Sequence, residues 1–184
     1  MKNKERLRKK YYSTRKKKYF NINPIYFDPL IKLIKKKYTK KTINLSCYYP
    51  SSFEVNVLRL FETSVANRIK VFLPVLTGNN SMHFYQWENK GILQINKFGM
   101  LEPYKLEKRT VPNIMLVPLL AYDNKKNRLG YGKGFYDRYL KRYLKKNNNI
   151  LTIGIAFSFQ KHHKLPVSNN DVKINYILTE KGIF

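Results

Sequence analysis

Arg128, Gly130, Gly132, Lys133 and Gly134 lie within one short stretch of the string NKKNRLGYGKGFYDRYL. Glycines at alternate positions reach positive φ and let a ligand approach the main chain closely. Arg128 and Lys133 set fixed cations among them. A helix starting directly afterwards would aim free N–H groups and a positive dipole end at the same space, a plausible cradle for phosphate. The spacing is neither the G-x-x-x-x-G-K-[ST] loop nor the G-x-G-x-x-G fingerprint. A strand-to-helix turn with solvated basic residues accounts for the same pattern.

The flanking segments must position that loop. Residues 114–121 (IMLVPLLA) are almost uniformly apolar, as in a strand buried on both faces of an α/β sheet. After Phe135, the positions Tyr136, Leu140, Tyr143 and Leu144 fall on one face of a helix. Further strands are expected in TINLSCYYP, RIKVFLPV, MHFYQW, ILTIGIAF and INYILT. Val57, Leu60, Phe61 and Val65 predict a helix between the first two strands, which makes a βαβ unit and a parallel pair. A second early helix carries Leu30, Ile31 and Ile34 before the Lys35–Lys37 run. The expected fold is one α/β domain over 1–184, an open, mostly parallel twisted sheet with helices on both faces.

Composition narrows the classes of function. The 184 residues are 43% hydrophobic, enough for a core and too many for a disordered chain. Lys and Arg total 37 against 11 Asp and Glu, a formal net charge of +26. Such a charge ordinarily points to nucleic acid or anionic membrane. Here Lys, Asn, Ile and Tyr are enriched together, as A/T-rich codons would produce, so no specific nucleic-acid partner is expected. Cys47, the only cysteine, alternates with Ile43, Leu45 and Tyr49 and reads as a buried strand residue. His162-His163 lacks a third ligand at metal spacing and reads as exposed loop. Asn147-Asn148-Asn149 reads as a polar loop. Without an apolar signal core or membrane-spanning run, a cytoplasmic location, no membrane and a monomer are expected.

The whole string RLGYGKGFYDRYL, behind a strand ending in AYD, resembles the signature of the 5-formyltetrahydrofolate cyclo-ligase (5,10-methenyltetrahydrofolate synthetase) family. The resemblance extends to Lys4-x-x-Leu7-Arg8 near the start, and to Phe53-Glu54-Val55-Asn56-Val57 where the family has G-E-V-D-T. It also covers Gly99 with Glu102-Pro103, and the closing run of Gln160, Leu165-Pro166-Val167 and Asp171. It implies an ATP- and Mg²⁺-dependent enzyme that cyclises 5-formyltetrahydrofolate. ATP is then met by Lys4, Arg8, Arg128, Leu129, Gly130, Tyr131, Gly132, Lys133, Gly134, Phe135 and Tyr136. Arg128 and Lys133 neutralise charge on the transferred group, Glu54, Glu102 and Tyr131 meet the folate, and Asp137 and Asp171 bind Mg²⁺.

Each of these residues has a plainer reading. Glu54 suits the first turn of a helix, as does Asp137. Residues 1–20, MKNKERLRKKYYSTRKKKYF, form a basic helix whose charges suit a solvated face. Trp87 suits core packing better than stacking on a pterin. Two other classes remain beside the cyclo-ligase: a basic RNA-binding module using YYSTRKKKYF, and another nucleotide-using enzyme on a similar scaffold.

Overall fold

The computed structural model describes residues 2–39, 42–63, 69–78, 81–88, 90–144 and 150–184. Its helices are α1 (Lys2–Lys18), α2 (Asp28–Lys37) and α3 (Phe135–Leu144). The strands are β1 (Ile43–Ser46), β2 (Ile69–Thr77), β3 (Ser81–Gln86), β4 (Leu93–Ile95), β5 (Leu101–Pro103) and β6 (Arg109–Thr110). They continue with β7 (Ile114–Pro118), β8 (Ala121–Tyr122), β9 (Arg128–Leu129), β10 (Leu151–Ile155), β11 (Tyr176–Thr179) and β12 (Gly182–Ile183).

Eight strands form one sheet in the order β12-β11-β10-β7-β1-β2-β3-β6. The run from β11 to β2 is parallel throughout, and β12, β3 and β6 join antiparallel at the edges. Strand alternation divides the core between two faces. Ile114 and Leu116 pack with Leu30, Ile31 and Ile34 of α2, while Met115 and Val117 pack with Tyr139 and Leu140 of α3. Helices therefore cover both faces, as the apolar central strand requires. Among the described residues no helix is long and apolar enough to cross a membrane.

The expected early elements form with two corrections. The apolar run 114–121 does not continue as one strand. It leaves the sheet at Pro118, and Ala121–Tyr122 turns back to pair antiparallel with Arg128–Leu129. The Leu120 N–H donates to the Leu129 carbonyl at 2.7 Å, so burial there comes from a hairpin and not from the sheet. The expected helix after β1 is a 3₁₀ helix over Val57–Glu62. Its i, i+3 repeat still buries Val57 and Leu60 on one side. The Asn56 side chain accepts from the Leu58 N–H at 3.1 Å, and the Thr63 hydroxyl donates to the Leu60 carbonyl at 2.6 Å. Val65 and Asn147–Asn149 lie outside the described residues.

Cys47 is fully buried in the core, and burial pushes its thiol well up, away from nucleophilic use. Trp87 is also buried, its indole N–H donating to the Gly91 carbonyl at 3.0 Å. His162 departs from the expected exposed loop, because its Nδ1 is 2.9 Å from the Tyr11 hydroxyl and its ring meets the Tyr11 ring edge-on.

Helix α1 has little apolar surface with which to hold itself in place. Its inward stripe is Lys4, Leu7, Arg8, Tyr11 and Arg15, spaced at helical i, i+3 and i+4. Leu7 and Tyr11 pack on Leu120, Ala121, Leu129 and Leu165, at the end of the sheet where β7 exits. Lys9, Lys10, Lys16, Lys17 and Lys18 face outward.

Gly154, in the middle of β10, shows how closely the α3-side core is packed. A Cβ there would lie 2.5 Å from Ile174 Cδ1, 2.7 Å from Leu119 Cδ2 and 2.9 Å from Ile177 Cδ1. Gly154→Val should destabilise the fold by about 1–3 kcal/mol through overpacking. Urea unfolding measures this, and an unchanged midpoint would mean that those three side chains can move aside freely.

Candidate active site

The sheet order reverses between β1 and β7, because β2 and β3 lie to one side of this pair and β10 and β11 to the other. In open α/β sheets the crevice beyond the carboxyl ends of such a pair is where ligands bind. Here β1 feeds residues 47–54, ending at Glu54. β7 feeds the β8–β9 hairpin and then the glycine loop. α1 lies against both exits.

The loop has the conformation that its composition suggests. Gly132 and Gly134 adopt φ of +99° and +70°, immediately before α3 begins at Phe135. Gly130 is not among the residues at positive φ. Arg8 reaches across from α1, its Nε donating to the Gly130 carbonyl at 3.0 Å. A Cβ on Gly132 would lie 3.1 Å from the Arg8 guanidinium carbon, so the absent side chain leaves room for that cation. Leu129 is buried beneath the loop. Lys133 is exposed, its ammonium 5.5 Å from the centre of the Phe98 ring. Phe98 in turn meets Phe135 edge-on at 5.6 Å. The Tyr136 hydroxyl is buried with no hydrogen-bond partner among the described residues, and burial pushes it well up.

The other charged candidates form two cross-links. Arg128 donates from Nη2 to Asp137 Oδ1 at 2.8 Å and from Nη1 to the Val172 carbonyl at 2.6 Å. Its side chain is only 4% exposed. Asp137 Oδ1 also accepts from the Val172 N–H at 3.0 Å. Lys4 is ion-paired with Asp171, whose Oδ2 also accepts from the Ser168 N–H at 2.6 Å and the Ser168 hydroxyl at 3.1 Å. Partial burial alone would raise the Asp171 carboxyl, but Lys4 and Ser168 outweigh it and hold the group below its ordinary value. Among the described residues no three His, Cys, Asp or Glu converge to hold a metal. Two separate carboxylates are compatible with Mg²⁺, which retains waters and takes much of its coordination from substrate phosphates.

Glu54 is buried at 8% exposure and does not stand alone. Its Oε1 accepts a short hydrogen bond from the Tyr131 hydroxyl. Its Oε2 accepts from the Ser51 N–H at 3.0 Å and the Ser51 hydroxyl at 3.5 Å. Burial raises its carboxyl above the ordinary value, while Tyr131, Arg15 and Ser51 oppose the rise. Tyr131 keeps 43% of its surface exposed, yet its hydroxyl end is enclosed and pushed well up by burial and by the Glu54 charge. Beside this group a cleft of about 370 Å³ is lined by Tyr19, Tyr49, Pro50, Ser51, Ser52, Phe53, Glu54, Asn56 and Leu58. Glu102 is placed differently. It is buried in the β4–β5 hairpin and accepts from Leu76 N at 3.3 Å, Gln94 Nε2 at 3.4 Å and Asn96 Nδ2 at 3.1 Å. These contacts fasten the hairpin to β2.

The sequence reading missed Arg15. It is 1% exposed, and its guanidinium donates to the Leu119 carbonyl, the Ser52 carbonyl and the Tyr131 hydroxyl. The stretch TRKKK concealed it among solvated lysines. The available signal was its helical register with Lys4, Arg8 and Tyr11.

Phe53 stands where the resembling family has a glycine. It adopts φ of +64°, and Ser52 before it +49°, a conformation that costs an L-residue roughly 1–2 kcal/mol. This chain adopts that backbone conformation with a phenylalanine whose ring meets Tyr19 edge-on at 5.8 Å. Phe53→Gly and Phe53→Ala both lose the ring, so comparing them isolates the backbone. The glycine variant should be the more stable by about 1 kcal/mol in thermal or urea unfolding. An alanine variant of equal or greater stability would show that the loop is not held in this conformation.

Comparison with known proteins identifies the family. The family model for the 5-formyltetrahydrofolate cyclo-ligase family matches residues 4–180. The 5-formyltetrahydrofolate cyclo-ligase of Haemophilus influenzae is 30% identical over 141 residues, covering 73% of this chain and 74% of that one. The 5,10-methenyltetrahydrofolate synthetase of Aquifex aeolicus superposes with a TM-score of 0.72 at 30% identity, over 98% of this chain and 91% of the other. A 5,10-methenyltetrahydrofolate synthetase from Mycoplasma pneumoniae gives 0.70 at 25% identity, over 96% and 98%. This chain belongs to the 5-formyltetrahydrofolate cyclo-ligase family.

Proposed function

We propose that the protein closes 5-formyltetrahydrofolate to 5,10-methenyltetrahydrofolate, using ATP and Mg²⁺ and releasing ADP and phosphate. The observation that carries this reading is a pairing in one crevice. A glycine loop with Arg8 on its backbone opens a helix, and the buried Glu54–Tyr131 pair adjoins the same loop.

The chemistry needs charge placement more than a protein nucleophile. The N5-formyl group is a formamide, a weak electrophile whose oxygen is a very poor leaving group. Transfer of the ATP γ-phosphoryl group to that oxygen makes it a good one. N10 then attacks the formyl carbon and gives up its proton, and the C–O bond breaks with departure of phosphate. The main-chain amides of the loop and the start of α3 receive phosphate oxygens. Arg8 and Lys133 offset charge on the transferred group. Lys133 is the exposed cation of the loop, whereas Arg128 orients Asp137. Asp137 and Asp171 would hold Mg²⁺, which would supply charge neutralisation between neighbouring phosphates. Glu54 offers acceptor oxygens to N–H donors of the reduced pterin, with Tyr131 at its edge. Glu102 acts from the hairpin, by holding Phe98 against the loop.

The direct test mixes protein, ATP, Mg²⁺ and 5-formyltetrahydrofolate and follows the absorbance of the methenyl product. No product at any Mg²⁺ concentration would end this reading. Lys133→Ala should depress turnover by about 10²-fold, the scale of a lost electrostatic stabiliser. Gly132→Val, whose Cβ would press on Arg8, should mainly weaken ATP binding. An active enzyme indifferent to Lys133→Ala would remove that lysine from the mechanism.

Asp137→Asn keeps the shape of the side chain and removes its charge. Turnover should fall by about 10²-fold and the Mg²⁺ concentration needed for half-maximal rate should rise, with circular dichroism unchanged. Wild-type turnover and Mg²⁺ dependence would return Asp137 to the role of a helix-start carboxylate that pairs with Arg128.

A further inference from the structure

We propose that Arg15 is a positioning residue for this reaction, fixing the direction of the Tyr131–Glu54 hydrogen bond and thereby an ionised, oriented carboxylate. The inference rests on the reading of Glu54 as the group that meets the folate.

The proton direction follows from donor inventory. A guanidinium can only donate. Arg15 Nη2 lies 2.7 Å from the Tyr131 hydroxyl, so that hydroxyl accepts from Arg15 and turns its single proton towards Glu54 Oε1. Ser51 donates to Oε2 from both its N–H and its hydroxyl. All four contacts on the carboxyl and on the tyrosine thus run one way, from Arg15 to Tyr131 to Glu54 and from Ser51 to Glu54. A carboxylate accepts from all of these donors at once, whereas a protonated Glu54 would fit only with the Ser51 hydroxyl turned round to accept its proton.

The same guanidinium holds the main chain on either side. Nη2 also donates to the Ser52 carbonyl at 2.8 Å, inside the turn that carries Glu54. Nη1 donates to the Leu119 carbonyl at 3.3 Å, just beyond β7. Its guanidinium carbon lies 5.5 Å from the centre of the Tyr131 ring. Arg15 therefore touches the Glu54 turn, the exit of the central strand and the glycine loop together.

Its charge matters as well as its shape. The ionisable and polar groups acting with Glu54 are Arg15 from α1, Tyr131 from the loop, Tyr48 and Ser51 from its own segment, and Tyr136 from α3. Burial holds all three tyrosines neutral in the working range by raising them further. Arg15 is the cation in this set, and it opposes the rise that burial imposes on Glu54. Removing it should let Glu54 take up a proton at higher pH, so activity is lost sooner as pH falls.

Two variants separate this role from a structural one. Arg15→Met removes charge and fork, and Arg15→Lys keeps the charge but loses the fork. The readouts are kcat, KM for 5-formyltetrahydrofolate and KM for ATP across pH, with melting temperature. A ¹³C-carboxyl titration of Glu54 is read alongside, its signal assigned by its loss in Glu54→Gln. In Arg15→Met the folate KM should rise by about 10-fold or more, with ATP KM near wild type. The acidic limb of kcat/KM and the Glu54 midpoint should both move up by about one pH unit. Arg15→Lys should hold the limb near wild type while folate KM stays raised. An Arg15→Lys enzyme matching wild type in folate KM overturns the proposal, and so does an Arg15→Met enzyme whose limb and Glu54 midpoint stay put. If Arg15→Met does not fold, Arg15→Lys decides. If the wild-type protein makes no methenyl product, the functional reading fails by itself. The Glu54 titration then still decides whether Arg15 sets that carboxylate.

Discussion

The docking of α1 on the carboxyl ends of the central strands is the contact on which the site depends. This helix has only Leu7 and Tyr11 to bury against the hairpin and Leu165, too little apolar surface to hold its seventeen residues by the hydrophobic effect alone. Polar fastening supplies the rest. Arg15 takes the Leu119 and Ser52 carbonyls, Arg8 the Gly130 carbonyl, and Lys4 the Asp171 carboxylate. These fastenings differ in worth. The Lys4–Asp171 pair is about a quarter exposed, and pairs of that kind are screened and contribute little. Arg15 is fully buried, so loss of its acceptors would leave an uncompensated charge in the interior. Of the polar contacts that hold this helix, the one most costly to break is therefore that of its own buried cation.

This arrangement makes sense of a strongly basic chain that contains so few acids. Most of the lysines on α1 and α2 point to solvent. Position inside the helical repeat separates the cations that contact the rest of the fold from those that face solvent. Lys4, Arg8 and Arg15 fall on the inward stripe; Lys9, Lys10 and Lys16 to Lys18 do not. The formal charge of +26 thus says nothing about how α1 is fastened, whereas the helical register of three cations does.

The glycine loop and the Glu54 turn illustrate two ways of meeting one backbone demand. At Gly132 and Gly134 positive φ is adopted by the residue type best suited to it. At Phe53 the same demand falls on a bulky residue, and the conformation is maintained by what surrounds it. The Ser52 carbonyl is held by Arg15 and the Ser51 N–H by Glu54. Strain in this turn and its fastening to α1 belong together, because a strained segment persists only where its neighbours over-determine it.

Local patterns determined much by themselves. The apolar run at 114–117 specified a doubly buried strand, the repeat of Tyr136, Leu140, Tyr143 and Leu144 specified α3, and the glycines specified the loop between them. Each depends on residues close in sequence, whose periodicity is set by backbone geometry. The breaking of the strand at Pro118 and the 3₁₀ form of Val57–Glu62 were not legible, since an apolar run or an i, i+3 repeat suits more than one backbone. The pairing of Arg128 with Asp137 and the fastening of Glu102 within its own hairpin also came only from the fold. Arg15 is the sharpest case. Its type and spacing were in plain view, but in sequence it is one more cation beside three lysines. Whether it meets water or a buried carbonyl depends on Ser52, Leu119 and Tyr131, residues 37, 104 and 116 positions away, which only the tertiary structure brings to it.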